Sequence, residues 1–263
     1  MSGVPFHVDQ VDHGADEHRA IRAVAERLLG SPNVCDQRKG RDLARLLALS
    51  DTAWHDRLAL QAAVPLPDRC TLGLVANLTV TSLAWRSGQP VEHSSWKLLV
   101  AVEPYYPLAM PAVRFVDEVP YNPHVLHREH LPDEATLAPP LRLFIAAVRQ
   151  GYDGGCCYLE SSHWQTTPEF DLAFVIWQVS RVLAGVGVRA EPGALNQHAC
   201  DYFMHLADQK RLPLGPPLPP PFIKSETFQE HTGGSENRRA GTGSIPSPTS
   251  SVDIEWIEEQ SEL

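Results

Sequence analysis

His93-Ser-Ser-Trp-Lys-Leu-Leu-Val-Ala-Val102 runs directly into Glu103-Pro-Tyr-Tyr-Pro-Leu-Ala-Met-Pro111 and then into Ala112-Val-Arg-Phe-Val116. The first segment alternates with a two-residue period, which predicts a strand. Three prolines in the second segment remove backbone donors and fix φ, so no ordinary central strand can continue through it. The third segment resumes as a short strand. The predicted order is strand, rigid proline loop, strand, and the apolar face of the first strand comprises Trp96, Leu98, Val100 and Val102.

Helical patterns precede this region. Apolar residues recur with helical spacing in Asp16–Leu29 and again in Gly40–Leu49, and a third helical stretch is expected near 53–63. Cys70–Val80 alternates like a strand and opens the predicted sheet, and residues 81–85 extend the pattern. The chain therefore places helices before a sheet.

The second half of the chain predicts two further helices and a change of composition. The helices are Glu169–Leu183 and Asn196–Leu206. A run of prolines from 213 to 221 predicts a stiff polyproline segment, and residues 224–251 have the composition of a disordered chain. The last twelve residues alternate apolar and acidic side chains around Trp256, which is typical of a solvated tail or of a short segment that folds onto a partner.

Several motifs in one order resemble the ubiquitin-conjugating enzymes. The stretch Tyr106-Pro107-Leu-Ala-Met-Pro111-Ala-Val113-Arg-Phe115 is similar to the family's Tyr-Pro-x-x-x-Pro-x-Val-x-Phe. The resemblance continues in three places, which are Asp153-Gly154-Gly155-Cys156-Cys157, Trp164 with Pro168 ahead of a long helix, and Leu195-Asn196-Gln-His-Ala199-Cys-Asp-Tyr202-Phe203. It covers residues 70–206 and implies an α+β, UBC-like fold. Such a fold has an antiparallel meander sheet of about four strands packed on helices.

The domain prediction follows from that resemblance and from composition. Residues 1–66 are an N-terminal helical region, 67–211 the conjugating domain, and 212–263 a Pro-rich linker and disordered acidic tail. In the family, His-Pro-Asn-Val lies a few residues before the catalytic Cys. Here Asn122-Pro123-His124-Val125 exchanges the outer residues, and an insertion at 126–150 separates it from the Cys pair.

The resemblance implies a transferase that carries a ubiquitin-like modifier as a Cys thioester and passes it to an amine. A thiolate suits both steps, because it is a good nucleophile and a good leaving group near neutral pH. Alignment of the Gly turn gives the catalytic position to Cys157, whereas the distance to Trp164 favours Cys156. Because loop lengths after the Cys vary more than the turn before it, the resemblance favours Cys157. Both thiols could also be small buried hydrophobes.

Other site residues are implied by position in the motifs. The family's Asn stabilises the oxyanion or orders the loop that does so. Here His124 stands at that place and Asn122 is the other candidate, and Glu191 is similar to the acidic residue that assists the incoming lysine. His124 and Glu191 could equally be ordinary loop side chains. His124, His127 and His130 have three-residue spacing, but no constellation of Cys or carboxylate ligands supports a metal site, so we expect no metal and no cofactor.

Net charge and composition limit the classes of binding partner that we expect. A net charge of −10 over 263 residues argues against nucleic acid or an anionic membrane. The absence of a long apolar run and of a leader pattern predicts a soluble cytoplasmic protein with reduced cysteines.

The exchanged motif and the insertion look like bacterial branches of the family. This implies as partners an activating enzyme, a ubiquitin-like modifier and a protein substrate with an amine, in some cases in antiviral defence. A metal-dependent peptidase is generally encoded with those branches.

Two other functions fit the sequence. One is a catalytically inactive UBC-like module that binds a ubiquitin-like protein or peptide. The other is an unrelated thiol hydrolase, which would need His163 or His124 as its base and which the Tyr-Pro loop argues against.

Overall fold

The computed structural model describes residues 13–66, 71–130, 153–159, 161–167, 170–189 and 194–221. The chain forms one compact unit over Met1–Ile223. The second unit, Lys224–Leu263, lies outside the described residues, and so does the predicted disordered tail. Within the described residues, no helix combines the length and apolar character that crossing a bilayer requires.

An antiparallel meander forms the centre of the fold. Its strands pair in chain order, each with the next. They are β1 (Leu58–Leu66), β2 (Thr71–Arg86), β3 (Gln89–Val102), β4 (Ala112–Phe115) and β5 (Gly155–Cys156). The predicted α+β class with an antiparallel meander is confirmed, and the described sheet has five strands instead of about four.

The period of β3 determines which face of the sheet is buried. Trp96, Leu98, Val100 and Val102 are each at most 1% exposed, as the two-residue period predicted. They pair across to alternate residues of β2, including Leu78 opposite Trp96. The residues between them on β3 are only half-buried, because successive side chains of a strand point to opposite faces. One face of the sheet therefore supplies the core.

The helices are α1 (His13–Leu29), α2 (Val34–Ser50), α3 (Ser161–Thr166), α4 (Leu172–Ala184) and α5 (Gln197–Asp208). The most buried is α4, which contacts both β2 and α2. It begins at Asp171, whose side chain accepts from the backbone N of Phe174, and ends at Gly185 in the left-handed region. Leu43 and Leu46 of α2 are fully buried in the same core as the sheet, so the N-terminal helical region is not a separate domain.

The prediction of a third helix near 53–63 is wrong. Residues 51–57 are a turn, and β1 begins at Leu58. A bulge between Leu60 and Ala62 shifts the register, so Leu58, Leu60 and Ala63 are the buried positions. The bulge breaks the two-residue period and gives the apolar residues a spacing that resembles a helix.

The proline segment also differs from its prediction, because it packs on the domain and is not a free linker. Leu218 is 1% exposed, and its backbone N donates to Ser180 Oγ at 3.0 Å. A polyproline chain makes no internal hydrogen bonds, so its carbonyls need other donors. Those of Pro217, Pro219 and Pro221 accept from Arg57, Trp54 and Arg45. The domain therefore continues at least through residue 221, well past the predicted boundary at 211.

Candidate active site

Cys156 lies on β5, the last strand of the meander, and has a neighbour on each side. It pairs with Val113 of β4 on one side and with Val125 on the other. Its side chain keeps some exposed surface but packs against the main core. Burial raises the pKa of the Cys156 thiol well above its usual value, and the neighbouring Cys157 adds to the effect. Cys156 is therefore a poor source of thiolate.

Cys157 follows immediately, one residue past the end of β5. Cys157 is half-buried, and its backbone N donates to the carbonyl of His124 at 2.9 Å. The fold thus brings Cys157 and His124 together through the main chain, across the insertion.

A glycine turn determines where Cys157 lies. Gly154 has φ +85°, and its backbone N donates to the carbonyl of Leu126 at 2.9 Å while its carbonyl accepts from Phe115 N. A Cβ built at this position would lie 2.5 Å from the backbone O of Phe115. Both the backbone conformation and the close approach therefore require glycine.

Asp153 joins the two ends of the insertion. One oxygen of its carboxylate accepts from the backbone N of Gly154 and from the backbone N of Arg128, each at 3.0 Å. Its backbone carbonyl accepts from Arg114 Nε at 2.7 Å. The segment that leaves after residue 130 and returns at 153 consequently starts and finishes at one place beside the Cys turn.

The loop that carries His124 is fixed on both sides by buried hydrogen bonds. Asn122 is fully buried: its Nδ2 donates to the carbonyl of Val182 at 2.8 Å, and its Oδ1 accepts from the backbone N of His124 at 3.0 Å. The backbone N of Asn196 donates to the carbonyl of Pro123 at 3.1 Å. Both ends of the Asn122 amide are thus used to hold the loop, which assigns this residue a positioning role.

His124 lies in the same loop but is more exposed than Asn122. Its side chain is half-buried, next to a fully buried Asn122. Its main chain accepts from Cys157 and donates to Asn122, so the residue is held from both sides. Of the two oxyanion candidates, His124 is the one whose side chain reaches the surface beside the Cys turn.

The proline loop is rigid for reasons that extend beyond its prolines. The fully buried Tyr106 donates its hydroxyl to Asp42 of α2, and burial raises the pKa of Tyr106, with Asp42 adding to the effect. Trp164 Nε1 donates to the carbonyl of Pro107 at 2.7 Å. At the tip, Tyr105 and Leu108 are 72% and 75% exposed. A fixed loop therefore presents two apolar side chains to solvent.

The remaining predicted residues are placed as follows. His163 lies on α3 and is half-buried, whereas Glu191 lies outside the described residues. Of the three evenly spaced histidines, His127 and His130 are in ring contact. Among the residues the structure describes, no three His, Cys, Asp or Glu side chains are arranged to hold a metal.

Sequence reasoning missed one cluster beside this loop. Trp85, Tyr121 and His198 meet His130 in mutual ring contacts. These residues come from β2, from the loop and from α5, and no short-range pattern links them. The only local signal is the concentration of aromatic and histidine residues between 121 and 130.

Comparison of the chain with family models, with curated proteins and with solved structures gives no match in any of the three.

Proposed function

We propose that the protein is a conjugating enzyme with a UBC-like fold, which carries a ubiquitin-like modifier as a thioester on Cys157. The observation that carries this proposal is the main-chain bond from Cys157 to His124. It joins the Cys turn to the Asn-Pro-His loop despite the residues inserted between them. The meander sheet, the rigid loop after β3 and the helix α4 after the Cys turn come in the order that the sequence resemblance implies.

The proposed reaction has two steps. The Cys157 thiolate attacks the carbonyl carbon of a modifier held as a thioester on an activating enzyme, and the thiolate of that enzyme leaves. An amine of a protein substrate then attacks the new thioester, the bond from carbon to the Cys157 sulfur breaks, and the amine loses a proton to solvent. Each step passes through an oxyanion, which hydrogen-bond donors stabilise.

The geometry supports the residue roles proposed for Cys157, His124 and Asn122. Cys157 is the nucleophile, because the pKa of its neighbour Cys156 is raised by burial. His124 is the side-chain donor to the oxyanion, and Asn122 holds the loop in place. Glu191 stays a prediction for the acidic residue near the incoming amine.

A second candidate is an inactive module that binds a ubiquitin-like protein without chemistry. It is favoured by one observation: the amide of Asn122 is already engaged at both ends, so the donor that the family uses is absent. The two candidates differ in whether the thiol forms a covalent adduct.

The test incubates the full chain with its activating enzyme, the modifier and ATP. We expect an adduct that reductant releases, its loss in Cys157→Ala, and a reductant-resistant oxyester in Cys157→Ser. Cys156→Ala is the matched control and keeps the adduct. An adduct that vanishes only in Cys156→Ala would move the assignment by one residue, and no adduct in any form would favour the binding module.

A further inference from the structure

Three imidazole rings are in contact beside the loop that carries His124. The rings of His130 and His198 lie parallel, with centroids 4.6 Å apart and planes 4° apart. The ring of His127 lies 5.1 Å from that of His130. Trp85 of β2 packs edge-on against His130 at 4.4 Å. This histidine stack, formed by His127, His130 and His198, joins the turn Arg128–His130 to the first turn of α5.

Two of the three rings are placed for the neutral form. His127 is 8% exposed, and its Nδ1 accepts from the backbone N of Glu129 at 3.3 Å. A proton on that nitrogen would abolish the acceptor. The Nε2 of His130 is buried and has no hydrogen-bond partner within the described part of the chain. A charged His130 would therefore hold a buried N–H with no acceptor to receive it.

His198 differs from the other two rings in its surroundings. It is exposed, and its Nδ1 lies 2.6 Å from the hydroxyl of Tyr121, which itself donates to the backbone carbonyl of His198 at 2.9 Å. A phenol has a single proton, and Tyr121 donates it to the His198 carbonyl. The hydrogen in the 2.6 Å contact therefore belongs to Nδ1 of His198, which donates to the Tyr121 oxygen.

The charged groups around the stack do not cancel the effect of burial on the pKa values of His127 and His130. Burial lowers the pKa of His127, although Asp153, Glu129 and Glu118 act in the opposite direction. Burial also lowers the pKa of His130, and His127 and His198 add to the effect while Glu129 opposes it. The other charged or titratable groups nearby are Arg128 on the turn, Arg86, which pairs with Glu118, and Asp201 and Tyr202 of α5.

We propose that the histidine stack is a proton-responsive latch, in which proton uptake by His127 and His130 at acidic pH releases the turn Arg128–His130 from α5. Above about pH 6.5 both rings are neutral in the folded and the unfolded chain, and the latch is closed. As the pH falls through that value, the unfolded chain binds protons first, so stability decreases until the folded rings also titrate. Tyr121 and Asn122 belong to the same loop, and the loop that holds His124 loosens with the turn.

This inference needs no enzymatic activity, so its test is separate from that of the proposed function. Amide hydrogen exchange of the full chain, corrected for the intrinsic rate, is measured for residues 121–130 at about pH 7.5 and about pH 5.5. Because pH 5.5 lies about one unit below the ordinary pKa of an imidazole, each of the two histidines can lower protection by at most about tenfold at that pH. Amides of α4, with its fully buried Ile176 and Val179, serve as the internal reference and keep their protection.

A double variant locks the latch without removing its contacts. In His127→Asn the side-chain oxygen replaces Nδ1 as acceptor for Glu129 N, and in His130→Phe the ring stays in the stack without titrating. The acid-dependent loss at 121–130 is expected to disappear in this variant and to persist in His55→Asn, a control on an exposed surface turn. Equal losses in the wild type and the double variant, or no loss in the wild type, would overturn the proposal.

A second measurement covers the case in which the double variant does not fold. A protonated imidazole quenches a neighbouring indole, and both His130 and His198 lie against Trp85. The fluorescence difference between His198→Phe and the double variant His198→Phe with Trp85→Phe therefore reports on His130. A quenching midpoint below about 6.5 supports the latch. A midpoint at or above that value, or no titration, contradicts it.

Discussion

Replacement of Asn122 by alanine is expected to destabilise the whole domain, in contrast to the small effect normal for a loop residue. The side chain is fully buried and bridges α4 to the His124 loop. The change removes the donor to Val182 O and the acceptor of His124 N. The Val182 carbonyl keeps a bond from Gly185 N at 3.0 Å, so the larger part of the loss falls on the loop.

The magnitude follows from the cost of unsatisfied buried groups, about 1–3 kcal/mol each. With one carbonyl partly compensated, we expect a decrease in the free energy of unfolding of about 2–4 kcal/mol. Urea denaturation with a slope near 3 kcal/mol per molar would then show a midpoint lower by roughly 1 M.

The matched control is Asn77→Ala, on β2. Asn77 is half-buried, and its amide makes no hydrogen bond to other residues in the described part of the chain, so the midpoint should move by less than about 0.2 M. If Asn122→Ala shifts the midpoint no more than Asn77→Ala does, the two bonds do not hold the loop. The oxyanion role would then be open to Asn122 again.

The remaining predictions concern the turn, the proline segment and the transfer step. Gly154→Ala should lower the free energy of unfolding by roughly 3 kcal/mol, because the cost of a positive φ and the cost of the close approach to the Phe115 carbonyl add. Gly88→Ala has only the positive φ and should cost about 1 kcal/mol. Thermal melts compare the two variants. Leu218→Ala should cost about 2–5 kcal/mol in denaturant unfolding, whereas deletion of residues 224–263 should shift the melting temperature by only a few degrees. A large shift on that deletion would mean that the tail stabilises the domain. His124→Ala should slow discharge of the thioester to free lysine by about 100-fold while loading persists, and an unchanged single-turnover rate would exclude it as the donor.

The sequence predicts the parts of the fold where one physical signal dominates. The alternation of Trp96, Leu98, Val100 and Val102 identifies the buried face of β3, and three prolines locate the loop after it. It fails at β1, because the bulge after Leu60 removes the period on which the prediction depends. It also fails at the proline segment, because composition cannot reveal that Trp54 and Arg57 provide donors from far along the chain.

The candidate site likewise combines features that the sequence predicts with features that it does not. The Gly turn before Cys157 can be predicted locally, since a positive φ requires glycine. The choice between the two thiols cannot, because it depends on the core that packs against Cys156. The buried position of Asn122 depends on Val182, which lies 60 residues further along the chain, so sequence alone leaves its role open between donor and support.

The hydrogen bond from Arg128 N to Asp153 has a consequence for how this chain can be rebuilt. The folded domain holds the two ends of the intervening segment together, so the pairing of β4 with β5 does not depend on the length of that segment. Loop-closure entropy rises only logarithmically, and doubling the segment would cost about 0.6 kcal/mol. A whole foreign domain, or a bridge of a few residues, could therefore be spliced between residues 131 and 152 while the Cys turn keeps its framework.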